Sequence, residues 1–298
     1  MFSELTRAER EKQRRRLSLG NRSRTTLVAA VFLLPTIVAL VLLRLQPIVS
    51  AAATAFSSAD EPFATFAFLF QDPVFLGSLR ITLLFSLIIN PLQIALAMAL
   101  AVLLTRHIPM VGLWRTLILL PVAIPQAVSA VIWGVLLRPD GPLNGFLAVF
   151  GIPPVPWLTD GRTALASIII VLSWVGVGYW MTFLVAGIKD IPPSLYEAAE
   201  IDGANAWQRF VHITLPGIRR PLLFVLVADT VSNFLIFAPI RILTQGGPQG
   251  STNLLMYNIY EQAYVYGDLP SASAATLVLV LIVLVIVTIQ FRLLPGKD

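Results

Sequence analysis

Cysteine is absent from this chain of 298 residues, and charged residues make up only 12% of it against 57% hydrophobic residues. Without cysteine there is no disulfide framework, no thiolate metal site and no cysteine nucleophile. A soluble domain usually carries about 25% charged residues, so this chain lacks the polar groups needed to cover a surface that faces water. We therefore expect lipid to be its solvent, in agreement with a mean hydropathy of +0.81.

Histidine is almost as scarce, and the sequence has none of the common catalytic motifs. His107 and His212 are far apart in the sequence and predict no metal site. The Gly-rich stretch 246–252 contains no lysine, so it is not the Gly-x-x-x-x-Gly-Lys-Ser/Thr loop that binds nucleotide phosphates. No nucleophile elbow is present. We expect no catalytic residue, no cofactor and no ATP hydrolysis in this chain, which disfavours a membrane-embedded enzyme.

Long apolar runs are what the sequence does have. Six stretches reach the roughly 20 apolar residues that a bilayer crossing needs: Thr26–Leu45, Leu79–Leu104, Leu117–Leu137, Ala164–Ala186, Leu222–Ile242 and Ala274–Phe291. Because lipid offers the backbone no hydrogen bonds, each stretch is predicted to be a helix. The predicted fold class is therefore an all-α, polytopic membrane protein with six transmembrane helices, kinked where Pro35, Pro91, Pro121 and Pro125 lie in or beside the spans.

The distribution of positive charge predicts the orientation of these spans. If the N-terminus is inside, sixteen of the 21 Lys and Arg residues fall on the inner side, including all eight in a basic tail at 1–24. Positive residues favour the cytoplasmic side, so both termini are predicted to be cytoplasmic, with a transmembrane domain over 25–298. The basic residues thus fit membrane topology and not nucleic-acid binding. A cleaved signal peptide ending near Ser50 is the alternative, but the apolar run is too long and Arg44 interrupts its end.

A polar segment at about 188–220 separates the fourth and fifth spans. Pro192 and Pro193 end the preceding helix, and Ser194 stands three residues before Glu197, the spacing of a capping box for a new helix. Gly203 permits a sharp bend before a second short helix. Two interpretations stay open: an amphipathic loop that rests on the membrane, or a docking element that enters a groove on a soluble partner.

The same segment carries a resemblance to a known family. The order Glu-Ala-Ala, three residues, Gly, nine residues, Ile, one residue, Leu-Pro resembles the cytoplasmic signature of binding-protein-dependent ABC transporter permeases. It reads here as Glu197-Ala198-Ala199, Gly203, Ile213 and Leu215-Pro216. With Asp202, Ala204, Gln208 and Phe210 it looks like the carbohydrate branch, the permeases for maltose-type sugars and glycerol phosphate.

Two outer segments also resemble this branch, in its first-permease subtype. They are Asn144-Gly145-Phe146-Leu147 and the turn Thr244-Gln245-Gly246-Gly247-Pro248. The chain departs from the family at Phe237-Ala238, where the family often has Phe-Asp, and it lacks the Gly-rich ending of the second-permease subtype. The departure at the end favours a heterodimer with a different permease.

The resemblance, which covers about Thr26 to Leu294, implies the type I fold of ABC importer permeases and a place in the bacterial cytoplasmic membrane. It implies a second permease, two cytoplasmic ATPases that bind ATP and Mg, and an extracytoplasmic solute-binding protein. It further implies that the loop between spans four and five couples to the ATPases, through Glu197, Ala198, Ala199, Asp202, Gly203, Ala204, Phe210, Ile213, Leu215 and Pro216.

Polar residues inside the spans are candidates for a substrate pathway, because polar groups in lipid usually face a cavity or a partner. The candidates are Asn90, Gln93, Gln126, Trp133, Trp174, Tyr179, Asp229, Ser232 and Asn233. Neutral hydrogen-bonding groups beside aromatic rings suit a hydroxyl-rich ligand such as a sugar. The alternative is that these residues only bond neighbouring helices together. An ion-coupled transporter would use Asp229 as its titrating group, but no intramembrane Lys or His accompanies it.

Overall fold

The computed structural model describes Val28 and residues 30–57, 61, 63–106 and 108–293. The predicted basic tail, 1–24, lies outside these residues. All regular structure in the described part is helical, so the all-α prediction is confirmed. The chain divides into two units, 1–54 and 55–298, and the second contains the apolar clusters described below.

Long membrane helices alternate with short connecting helices. In chain order the helices are α1 (Ala30–Ala55), α2 (Ala64–Leu69), α3 (Pro73–Leu104), α4 (Val111–Leu119), α5 (Gln126–Leu136), α6 (Pro142–Val149), α7 (Gly161–Lys189), α8 (Pro193–Ile201), α9 (Ala206–Arg209), α10 (Arg219–Phe234), α11 (Ala238–Leu243), α12 (Leu255–Tyr260) and α13 (Leu269–Leu293). A 3₁₀ turn follows α4 at Leu120–Ala123, and π-helical turns follow α9 at Phe210–Thr214 and α12 at Glu261–Val265.

Within the described residues, five segments are long and apolar enough to cross a membrane: α1, α3, α7, Arg219–Leu243 (α10 with α11) and α13. The predicted end of the first span at Leu45 was wrong, because the helix continues to Ala55 and encloses Arg44. Arginine is a good helix former with a long, flexible stem, so a single arginine does not end a helix. The orientation of the termini stays a prediction.

The predicted third span, Leu117–Leu137, is not one straight helix. Val111–Ala123 and Gln126–Leu136 meet at an angle of 97°. Ile124, between them, has extended backbone angles (φ −88°, ψ 126°), as expected for a residue that precedes a proline. The kink predicted from Pro121 and Pro125 is therefore confirmed, but it is a break and not a bend. Pro91, by contrast, lies within the uninterrupted helix α3.

The core of the second unit is built around α3 and α7, which pack along each other, with α10 packed against both. One apolar cluster joins the C-terminal halves of α3 and α7 through Ala97, Ala101 and Leu184. A second joins Phe85 and Ile89 of α3 to the N-terminal half of α7. A third holds α12 and α13 to the beginning of α3 and the end of α10.

Glycines let α7 approach its neighbours closely. A Cβ atom on Gly178 would overlap the backbone oxygen of Ile118 at the end of α4. A Cβ on Gly187 would lie 2.6 Å from the Pro221 ring of α10. Membrane helices without a hydrophobic driving force between them associate through such small residues, so these contacts fix the position of α7.

Replacement of Gly178 by alanine should destabilise the protein, because the new methyl group meets backbone and not a movable side chain. We expect a loss of about 1–3 kcal/mol, the usual cost of overpacking. Gly77 on α3 is the matched control: a Cβ there meets nothing within 4 Å, so Gly77→Ala should keep or raise stability. The thermal unfolding midpoints of the two purified variants test this, and equal midpoints would contradict it.

Candidate functional site

A buried polar network joins α10 to α3. On α3 it lies between the cluster of Phe85 and Ile89 and the cluster of Ala97 and Ala101. Its centre is Asn233, whose Nδ2 donates to Asn90 Oδ1 at 2.8 Å, to Gln93 Oε1 at 3.1 Å and to Asp229 Oδ1 at 3.1 Å. All four side chains are buried. Asn90, Gln93, Asp229 and Asn233 were predicted as pathway residues from sequence, and the structure brings the four together.

The network extends from Asn90 towards α13. Asn90 Nδ2 donates to Ser86 Oγ at 2.8 Å and to Thr230 Oγ1 at 3.3 Å. Gln290 Nε2 of α13 donates to the same Thr230 hydroxyl at 2.8 Å. Part of the predicted pathway set is thus helix-bonding in character, which was the alternative interpretation of these residues.

A cavity of about 190 Å³ opens beside this network. Its lining residues come from α3, from both sides of the break between α4 and α5, from α7 and from the end of α10: Gln93, Val122, Gln126, Leu172, Val175, Gly176, Tyr179, Trp180, Asp229, Ser232, Asn233 and Ile236. Six predicted pathway residues line it, namely Gln93, Gln126, Tyr179, Asp229, Ser232 and Asn233. Hydrogen-bonding groups and aromatic rings therefore line the same cavity.

Three predicted pathway residues do not line the cavity. Asn90 lies behind it in the network, and Trp133 and Trp174 pack edge-on against each other with ring centroids 5.5 Å apart. Trp180 lines the cavity too, as does Gly176, which was not predicted from the sequence. A Cβ on Gly176 would lie 2.9 Å from Gln93 Nε2, so this glycine makes room for the amide. A glycine inside an apolar helical stretch is the sequence signal that could have identified Gly176.

The polar segment between α7 and α10 forms two short helices joined by a tight turn. The first helix, α8, ends in a Schellman motif: Ala204 N donates to Ala199 O at 2.8 Å and Gly203 N donates to Glu200 O at 3.1 Å. Gly203 has φ +78° and open space around it. The bend predicted at Gly203 is confirmed, and it is the backbone angle that requires glycine there.

The predicted capping box at Ser194 was wrong, since the N-cap of α8 is Pro192 and no side chain caps it. Pro193 occupies the first helical position, where its missing N–H costs nothing. The capping box occurs at the second helix instead, between Asn205 and Gln208. Asn205 Oδ1 accepts from Gln208 N at 2.9 Å, and Gln208 Oε1 accepts from Asn205 N at 2.8 Å.

The two short helices are fastened to each other and to the core on one side only. Tyr196 and Thr214 share a hydrogen bond of 2.9 Å between their hydroxyls, and the half-buried Arg209 forms an ion pair of 3.5 Å with the exposed Glu200. Tyr196, Phe210 and Ile213 pack against the apolar cluster of α3 and α7. The predicted coupling residues Phe210 and Ile213 thus anchor the segment.

The other side of this segment is exposed, although it includes large apolar residues. Ile201 is 87% exposed and Trp207 is 71% exposed, and Leu195 is exposed as well. Of the predicted coupling residues, Glu197, Ala198, Asp202, Gly203, Leu215 and Pro216 are exposed, and Ala199 and Ala204 are half-buried. A rigid, partly apolar surface of this kind is suited to a protein partner.

Two connecting segments are ordered by single side chains. Asn144 Oδ1 accepts from Val155 N at 3.0 Å and from Trp157 Nε1 at 3.0 Å, and its Nδ2 donates to Val155 O at 2.9 Å. Thr252 Oγ1 bonds Thr244 Oγ1 and Gly247 O, each at 2.7 Å, across the turn after α11. Both motifs singled out in the sequence therefore have a structural role.

Removal of the Asn233 amide should destabilise the protein. Asn233→Ala leaves three buried acceptors on Asn90, Gln93 and Asp229 without this donor, which we expect to cost about 1–3 kcal/mol. Ser232→Ala, at the neighbouring exposed position, should change stability by less than about 0.5 kcal/mol. Thermal unfolding of the purified variants checks the difference; an unchanged midpoint for Asn233→Ala would mean that water replaces the lost donor.

Comparison with known proteins agrees with this architecture. A family model described as "Binding-protein-dependent transport system inner membrane component" matches residues 106–296. The chain is 33% identical to the sn-glycerol-3-phosphate transport system permease protein UgpA of Agrobacterium fabrum, over 78% of this chain and 79% of that protein. It is 34% identical to the lactose transport system permease protein LacF of Rhizobium radiobacter, over 70% of each chain.

A solved structure is similar over nearly the whole chain. It is that of a bacterial alginate ABC transporter in complex with an alginate pentasaccharide-bound periplasmic protein, and one of its chains matches with a TM-score of 0.84 and 26% identity, over 94% of this chain and 99% of that one. The resemblance and the type I fold predicted from the sequence are thereby confirmed. The chain belongs to the binding-protein-dependent ABC transporter permeases, as an integral membrane subunit of a transporter and not as an enzyme.

Proposed function

We propose that this chain is the permease subunit of an ATP-driven importer in a bacterial cytoplasmic membrane, and that it forms the pathway for a sugar or sugar derivative together with a different, second permease. Two cytoplasmic ATPases, which bind ATP and Mg, supply the energy, and an extracytoplasmic protein delivers the solute. The observation that carries the proposal is the rigid, exposed helical segment between α7 and α10, residues 190–218, which is called the docking segment below. It is a docking surface attached directly to two walls of the cavity.

The connection between the docking surface and the cavity is short. α7 contributes Leu172, Val175, Gly176, Tyr179 and Trp180 to the cavity and ends at Lys189, just before the docking segment. α10 begins at Arg219, just after this segment, and contributes Asp229, Ser232 and Asn233. A displacement of the docked segment is therefore a displacement of two cavity walls, which is what a rocking mechanism needs.

The proposed partners follow from the exposed surface of this segment. Ile201, Trp207 and Leu195 are apolar side chains on a short helix pair that is fixed by the Schellman turn and the capping box. Helices of this kind enter apolar grooves on soluble domains. Gly203 gives the pair its shape, and Glu197, exposed on α8, is available as a polar contact to an ATPase.

The proposed solute class is supported by the cavity and by the relatives. Amide, hydroxyl and carboxyl groups lie beside the rings of Tyr179 and Trp180, and a sugar presents hydroxyl groups and an apolar ring face to such a lining. LacF is a lactose transport permease and UgpA is an sn-glycerol-3-phosphate transport permease by their names.

Uptake should depend on ATP hydrolysis and on the solute-binding protein. In membranes that contain the assembled transporter, replacement of the catalytic carboxylate of the ATPase should abolish uptake, whereas a proton uncoupler should leave short-time uptake unchanged. Uptake that collapses with the uncoupler and survives the ATPase substitution would contradict the proposal and assign the chain to ion-coupled transport.

An acidic side chain on the docking surface should release the ATPases. Ile201→Asp places a charge at an 87% exposed apolar position, and loss of one apolar anchor at an interface typically weakens binding by tenfold or more, about 1.4 kcal/mol or above. Val149→Asp, at an 80% exposed apolar position on α6, is the matched control.

The measurement is co-purification of the ATPases with the detergent-solubilised permease. Ile201→Asp should lose them and Val149→Asp should retain them. ATPases that stay bound to Ile201→Asp with full coupled uptake would show that this surface is not the docking site.

A further inference from the structure

Asp229 has one carboxyl oxygen without a hydrogen-bond partner in the interior of the protein. Its side chain is 1% exposed, and it stands on the wall of the cavity. Oδ1 accepts from Asn233 Nδ2 at 3.1 Å, but Oδ2 accepts no hydrogen bond. The Trp180 indole is near enough to interact with the carboxyl group, yet it does not reach hydrogen-bond geometry with Oδ2.

An unpartnered acceptor of this kind is costly in a helix bundle. A buried polar group without a hydrogen bond costs about 1–3 kcal/mol, and more if it is charged. Asn90, Gln93 and Asn233 of the same network do make their hydrogen bonds. Gln290 Oε1 of the same network is also without a partner, but Gln290 does not line the cavity. Asp229 therefore leaves a hydrogen-bond site unfilled on the cavity wall, where a ligand can fill it.

The charge of the cavity restricts which ligand fits. Among the twelve residues that line it, Asp229 is the only acid, and none is Lys, Arg or His. The remaining polar groups are the neutral ones of Gln93, Gln126, Tyr179, Trp180, Ser232 and Asn233. Moving a carboxylate or phosphate out of water without a counter-charge is costly, and among the described lining residues there is no Lys, Arg or His to offset it.

From this geometry we infer that the cavity selects a solute that is not anionic and that donates a hydrogen bond from a hydroxyl or ammonium group to Oδ2 of Asp229. The inference rests on the proposed function and adds the charge class of the solute. Asp229 is then a specificity-determining residue. The inference thus gives this chain a solute of another charge class than sn-glycerol-3-phosphate and alginate, the acidic solutes named for two similar transporters.

The substitution Asp229→Asn isolates the effect of the free oxygen. Asparagine keeps an oxygen that accepts the bond from Asn233, and it replaces Oδ2 by an NH₂ group, a donor, at nearly constant volume. A ligand donor then faces a donor, whereas an anionic ligand, whose charged group offers only acceptors, gains a donor. Asp140→Asn is the matched control, because it makes the same change at a 75% exposed carboxyl group that does not line the cavity.

The test is a competition assay for ATP-dependent uptake into proteoliposomes that contain the complete transporter with its solute-binding protein. The probes are three disaccharides of one linkage: cellobiose, its diamino analogue from chitosan, and its uronic acid analogue. Wild type should take up the neutral or the amino sugar at least tenfold better than the acid. Asp229→Asn should reduce this preference by about tenfold, the range for one hydrogen bond that loses its acceptor, while Asp140→Asn should retain it.

Three results would overturn the inference. One is ATP-dependent uptake of the acidic probe in preference to the other two, which would leave the proposed function intact. Another is an unchanged preference in Asp229→Asn although its unfolding midpoint is that of wild type. The last is ATP-dependent uptake of none of the three probes, and if no other carbohydrate is taken up either, the proposed function falls with it.

Discussion

The hydrogen bonds that Asn233 donates to Asn90 and Gln93 hold α10 against α3 in a place where water is scarce. The rest of the site depends on this attachment. α10 is only 16 residues long, and it must align its N-terminal end with the docking segment and its C-terminal end with the cavity. In lipid, apolar contact between helices gives little driving force, so polar bonds and close packing set helix position. The network thus sets the register of α10 against α3.

Close packing fixes the position of α7, just as hydrogen bonds fix the position of α10. Gly178 and Gly187 allow backbone or ring atoms of α4 and α10 to come within contact distance, and Gly176 leaves room for the Gln93 side chain. Each glycine removes a methyl group at a point where another element arrives. α7 therefore has a fixed position along its length, from the cavity to the docking segment.

Much of this arrangement was predictable from the sequence because a lipid environment permits few kinds of backbone structure. Hydrophobic length and the need for internal backbone hydrogen bonds predict helices, and prolines predict breaks, as Pro121 and Pro125 show. Polar residues inside spans are few, so Gln93, Asp229 and Asn233 were evident candidates. The signature of the docking segment identified both its bend at Gly203 and the family.

The predictions that failed concern positions where several residues share one sequence pattern but the fold uses only one of them. Ser194 and Asn205 both have capping-box spacing, and only the second is used, because Pro192 and Pro193 already begin α8. Trp133, Trp174 and Trp180 are equally aromatic, yet the first two pack on each other and only Trp180 reaches the cavity. Helix ends were poorly predicted because an arginine such as Arg44 is compatible with a continuing helix. These choices are made by tertiary contacts and not by local preference.

The location of the cavity follows from where helices are broken. Val122 and Gln126 lie on the two sides of the break between α4 and α5, and Ile236 lies in the break between α10 and α11. The opposite walls come from α3 and α7, which are continuous, and α7 contains no proline. Backbone that leaves the helical pattern at membrane depth is tolerated only where protein or a cavity can accommodate it. A continuous helix transmits displacement, whereas a break absorbs it, so motion of the docking segment should change the shape of the cavity at these two breaks first.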